Sequence, residues 1–181
     1  MASTRIAMRR SMIAKVGLWL QDNSRNMANY YTLNRTNNVV TATFNSVEYG
    51  IVPRVEGQEL FLPGVNIIFL DEADASPDRN KNKRFIQPVQ ITISRPVESG
   101  SNIYKLEEEV LQVVDKVQEC FSDGFLYIWD YTDLDSPTYT GIRGMWKDSG
   151  VPASNESFAT AGGDITYSIN IFVEYVNKSY G

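Results

Sequence analysis

The strongest constraint on the fold of this chain is a helix-spaced apolar stripe followed, some way downstream, by a strictly alternating run. Ile103, Leu106, Val110, Val113, Val114, Val117 and Phe121 recur three and four positions apart, the spacing that places them on one face of an α-helix of about five turns. From Ile165 to Val176 the period changes to two. Ile165, Tyr167, Ile169, Ile171, Val173 and Tyr175 fall on one side of a strand, with Thr166, Ser168, Asn170, Phe172, Glu174 and Val176 on the other. A helix and a strand that are each apolar on one side need a partner to bury that side, and each can serve the other. The run Ser99, Gly100, Ser101 and Asn102 introduces the helix, Glu107, Glu108 and Glu109 lie early in it, and Gly124 offers its stop.

A second helix is predicted from Arg5 to about Asn23. Met8, Met12, Ile13, Val16, Trp19 and Leu20 keep helical spacing while Arg9, Arg10 and Lys15 occupy other faces, the pattern of an amphipathic helix capped by Ser3 or Thr4. Val39 to Phe44 and Tyr49 to Val55 are β-rich runs separated by Asn45 and Ser46, which predicts a hairpin. Val65 to Leu70, Arg84 to Ser94, Phe125 to Tyr131 and Thr138 to Trp146 read as further strands. Pro88 has no N–H to give to a ladder, so it belongs at an edge or a bulge. The elements together predict one α+β domain over 1–181: an antiparallel β-sheet packed by two amphipathic helices, with long exposed loops at 71–83 and 133–164.

Composition narrows the function classes. The chain has no histidine, the side chain that most often serves as acid, base or metal ligand near neutral pH. Its one cysteine, Cys120, sits on the apolar helix as a buried thiol and excludes an internal disulfide. No apolar run reaches the roughly 20 residues a bilayer-spanning helix needs, so the protein is expected to be soluble and to have no membrane partner. Charge is segregated. The first 35 residues carry six cations against Asp22, or +5, which leaves −10 of the total −5 to the remaining 146. Trp19 and Leu20 continue the apolar face of this basic start, which favours an integral helix over a transit peptide.

Candidate chemical motifs fail on their own terms. Asp78, Asn80 and Asn82 open like a calcium loop, but Lys83 stands where glycine is required and Val89 where the bidentate glutamate belongs. Asp130, Asp133 and Asp135 cluster after a strand as paired carboxylates for a metal or for acid–base work would, yet their Thr, Ser and Pro neighbours are those of a turn. The glycines at 141, 144, 162 and 163 lack phosphate-loop spacing. These readings predict a protein that is not an enzyme, with no catalytic residues, no cofactor and no metal. With a sequence pI near 4.8 and a net charge of −5, the basic loop residues Arg79, Lys81, Lys83 and Arg84 are expected to meet acidic protein surfaces in preference to nucleic acid.

The order of elements, with Met8 to Leu20, Arg84 to Ser94, Ile103 to Phe121 and Ile165 to Tyr175 as its matching pieces, resembles the lambda-type tail terminator proteins of long-tailed bacteriophages. The resemblance covers most of the chain as a pattern and contains no signature motif. It implies a structural virion protein: an α+β subunit of a hexameric ring that caps the tail tube, ends tail polymerisation and offers the face for head attachment. It further implies assembly in the host cytoplasm, a place at the head-proximal end of the tail, and tail tube and neck or connector proteins as partners. DNA would pass through the lumen without specific binding. In such a ring the loop at 71–83 is long enough to reach a neighbour, and Arg79, Lys81, Lys83 and Arg84 are expected to make contacts between subunits or rings. Trp146 either anchors the loop at 133–164 or packs in the core. Three alternatives stand beside it: another neck or tail-completion ring protein, a metal-dependent hydrolase using Asp130, Asp133 and Asp135, and a monomeric binding module.

Overall fold

The computed structural model describes residues 3–22, 34–36, 39–75, 83–98, 100–148, 154–157 and 163–177. Its elements in chain order are α1 (Thr4–Asp22), β1 (Asn34–Thr36), β2 (Val39–Phe44), β3 (Val47–Arg54), β4 (Gly64–Phe69), β5 (Ala73–Asp74), β6 (Lys83–Pro96), α2 (Ile103–Cys120), β7 (Phe125–Asp130), β8 (Thr138–Asp148), β9 (Ser154–Ser157) and β10 (Asp164–Asn177). The strands form one sheet in the order β1-β2-β3-β4-β6-β10-β8-β7, with β5 added to β6 and β9 to β10.

The architecture is α+β as expected, but the sheet is mixed: β3 and β4 run parallel, in register from Gly50 opposite Gly64 to Arg54 opposite Ile68. A parallel pair ordinarily needs a crossover of about a dozen residues or more. Here the nine residues between the strands suffice. A turn closed by the Gln58 N–H donating to the Val55 carbonyl at 3.0 Å starts the return. Phe61 then packs against Gly50, where a Cβ would collide with its ring. Buried Asn66 completes it, accepting the Phe61 N–H at 2.8 Å and donating to the Phe61 carbonyl at 3.2 Å. The hairpin between β2 and β3 forms as predicted, with Asn45 and Ser46 at φ 49° and 64°, the left-handed geometry of a tight primed turn.

At the centre, β6 and β10 pair antiparallel from Lys83 opposite Asn177 to Pro96 opposite Asp164. The alternation predicted for β10 is observed: Ile165, Tyr167, Ile169, Ile171, Val173 and Tyr175 are all buried in the core with Val89, Ile91 and Ile93 of β6. Pro88 falls within this central strand, not at the margin of the sheet. Its carbonyl accepts the Leu70 N–H, so its nitrogen faces the side where β4 has just ended at Phe69 and β5 has yet to begin at Ala73. The missing donor thus meets a local lapse in pairing.

Both helices lie on the inner face. α2 behaves as its stripe predicts: Val110, Val113, Val114, Val117 and Cys120 are buried, Asn102 caps the start by accepting the Lys105 N–H at 3.2 Å, and the helix packs on β6 and β10. Two of its early glutamates reach the sheet. Glu107 accepts the Tyr167 hydroxyl at 2.9 Å, and Glu109 pairs with Arg95.

α1 departs from expectation. Ser3 caps it, accepting the Ile6 N–H at 3.3 Å, but every residue from Ser11 to Leu20 is buried, so α1 is not an amphipathic helix with one solvent face. It packs against β2 and β3 near one end of the sheet order and against β7 at the other, which the sheet permits by curling around it. Its polar side chains serve the sheet. Ser11 Oγ accepts the Trp129 N–H at 2.9 Å and Arg10 donates to the Tyr131 carbonyl at 3.2 Å. Lys15, 5% exposed, donates to Asp123 at 2.9 Å and to the Phe125 carbonyl at 2.6 Å. At its first turn Arg5 bonds Glu72 at 2.8 Å, and Glu72 also accepts the Tyr175 hydroxyl at 2.7 Å. Burial followed by the Glu72 contact raises the Tyr175 phenol well above its ordinary pKa of 10.0.

The stretches expected as long loops at 71–83 and 133–164 carry strands, among them the one expected at Thr138 to Trp146. Ala73–Asp74 adds to β6 within 71–83, and β8 with β9 occupies much of 133–164. Among the described residues, no helix is long and apolar enough to cross a membrane.

Candidate functional site

Filling the inner face with helices leaves the outer face of the same strands to be accounted for. Along β6 and β10 the outward positions are even-numbered, and most are polar or charged. Ile86 and Phe172 are not, and Phe172 is 38% exposed. Register brings β8 and β7 into line with them: Ile86 stands opposite Glu174, Glu174 opposite Met145, and Met145 opposite Phe125. Ile86, Met145, Phe172 and Glu174 line an open cleft of about 270 Å³. Arg84 pairs with Glu174 at its rim. The cleft thus sets three apolar side chains beside a charged margin across three adjacent strands.

A second concavity lies where α1 meets the ends of β3 and β4. It holds about 380 Å³ and presents Ile6, Val55 and Phe69 as an apolar floor beneath three arginines, Arg9, Arg10 and Arg54. Arg9 stacks over the Phe69 ring at 4.8 Å and Arg54 over Phe61 at 5.9 Å. The Nε atoms of Arg9 and Arg54 are buried without a hydrogen-bond partner among the described residues. Among the described residues, no carboxylate lines the groove.

The residues singled out by sequence are distributed as follows. Arg79 and Lys81 lie outside the described residues. Lys83 is exposed and stands 3.9 Å from Asp74, while Arg84 is engaged by Glu174. Trp146 faces inward. It meets Phe121 edge-on at 5.0 Å and, with Val117, Gln118, Ile169 and Ile171, lines a cavity of about 310 Å³ against the core. Asp130 accepts the Thr132 N–H and hydroxyl at 2.9 and 2.6 Å, and Asp133 accepts the Asp135 N–H at 3.0 Å. These are the bonds of Asx turns. Among the described residues, no group of three His, Cys, Asp or Glu side chains is arranged to hold a metal ion.

Sequence reasoning missed the groove, whose arginines lie some 45 positions apart. It named no residue of the outer cleft, although Phe172 stood out as an aromatic residue on the polar side of an alternating strand. No protein-family model matches the chain, and no curated protein matches it by sequence.

Proposed function

We propose that this protein works through its surfaces as a ring subunit of a phage tail, capping the tail tube in the manner of a tail terminator. The observation that carries the assembly part of this reading is the outer cleft of Ile86, Met145 and Phe172, three apolar side chains brought together by register on the sheet face opposite both helices. The tail-terminator part rests on the order of elements: an N-terminal helix, a hairpin, a long central strand, a second helix and a closing strand that pairs with the central one.

In this reading the helices make a rigid interior and the ring closes through the outer cleft, its charged rim and the basic groove. Asp130 and Asp133 each accept a backbone N–H two residues on, which supports reading them as turn residues. The chain's net charge of −5 suits a ring whose lumen passes DNA without holding it. The subunits would assemble in the host cytoplasm and reside at the head-proximal end of the tail, bound to the tube on one side and to neck or connector proteins on the other.

Electron microscopy of purified protein mixed with tail tubes tests this. Rings seated at one tube end, with tube length no longer growing, are expected. Rings that bind connector proteins but leave tube growth unaffected would make this a neck component, and a chain that forms no ring with or without tubes would contradict the proposal.

A further inference from the structure

The basic groove has a complement on the same chain. Between β7 and β8, Asp133, Leu134 and Asp135 form an exposed turn, with Leu134 38% exposed between two carboxylates. The Asp133 side chain fixes the turn by accepting the Asp135 N–H at 3.0 Å, so the leucine and its flanking charges are presented in a defined shape. Neither carboxylate enters an ion pair among the described residues, and neither do Arg9, Arg10 or Arg54.

The groove calls for an occupant that is apolar at its centre and anionic at its margins. Ile6 at 47% and Val55 at 73% exposed offer a floor for one aliphatic side chain, and the three guanidiniums above it offer N–H groups to carboxylates. A nucleic-acid backbone would satisfy the arginines but leave this floor bare, and the chain's net charge of −5 opposes it. The chain's own turn does not fill its own groove, since Leu134 remains in solvent. We infer that the groove of one copy receives the Asp133, Leu134 and Asp135 turn of a second copy, the leucine over Ile6, Val55 and Phe69 and the two carboxylates toward Arg9, Arg10 and Arg54. The inference rests on the ring reading only in requiring self-association, to which it adds one contact beside the outer cleft.

Charge reversal on the full chain, read by sedimentation or light scattering, is the test, with circular dichroism as the control for folding. Arg54→Glu alone, and Asp133→Lys with Asp135→Lys, should each raise the self-dissociation constant by about tenfold or more, and combining all three on one chain should recover part of that loss. Disulfide trapping gives a second measure. Mixing a Val55→Cys chain with a Leu134→Cys chain under oxidation should yield a covalent pair, whereas either alone should not.

If the wild-type chain forms rings that neither reversal weakens and no covalent pair appears, this contact is wrong and the ring reading stands. If the reversals disrupt a species smaller than a ring, the contact is right and the ring reading falls. A wild-type chain that stays at 20.5 kDa at every concentration overturns both.

Discussion

The inner and outer faces of the sheet are made by the same strands and have opposite fates. Inward, Val89, Ile91 and Ile93 of β6 and Ile169, Ile171 and Val173 of β10 are sealed beneath α1 and α2. Outward, Ile86, Phe172 and Met145 are of similar chemistry, and no described element covers them. The difference teaches that apolar character alone does not mark a core residue in this chain. What matters is whether a helix reaches that side.

Substitutions on the two faces should therefore separate stability from assembly. The largest loss is expected at the inner face. Leu18 is 1% exposed inside the curl of the sheet, and Leu18→Ala should lower unfolding free energy by about 2–5 kcal/mol in denaturant titration. Next comes Asp123→Ala, about 1–3 kcal/mol, because it removes the counter-charge of the Lys15 ammonium, whose side chain is only 6% exposed, and leaves it the Phe125 carbonyl. Lys15→Met should cost less than Asp123→Ala, since Asp123 at 27% exposed can recover water.

The pH dependence should also report on the inner face. Burial raises the phenols of Tyr175, Tyr49 and Tyr167 above their ordinary pKa of 10.0. Above about pH 10 the unfolded chain ionises while the folded one resists, so stability should fall as pH rises from there toward the folded values. Tyr175→Phe should flatten that fall, as measured by thermal melts at stepped alkaline pH. The smallest effect on stability belongs to the outer face. Phe172→Ser with Met145→Ser should change unfolding free energy by no more than about 0.5 kcal/mol for each site, yet weaken self-association.

How much of this could be read beforehand depends on whether a feature is local. The α2 stripe, the β10 alternation, the Asn45 and Ser46 turn and the Ser3 cap are set by neighbours a few positions apart, and they appear where periodicity and turn chemistry put them. The burial of α1 was hidden because Arg9, Arg10 and Lys15 look like a solvent face: Lys15 is in fact buried and paired with Asp123, while Arg9 and Arg10, nearer the start of the helix, reach Gln87 and the Tyr131 carbonyl from its more open side. The parallel pairing of β3 and β4 was hidden because its return is a short loop pinned by Asn66, with no crossover helix to announce it. Of the two surfaces, Phe172 was visible as an anomaly in its strand. Its meeting with Ile86 and Met145 needed the register of three strands, and the basic groove needed the approach of α1 to β3.

The most direct measure of the central claim is the solution mass of the wild-type chain beside that of the Phe172→Ser and Met145→Ser double variant, by light scattering across a concentration series. The account predicts a wild-type ring near six times 20.5 kDa and a folded variant shifted toward the single chain. A variant that assembles as well as the wild type, or a wild type that never exceeds one chain, would contradict it.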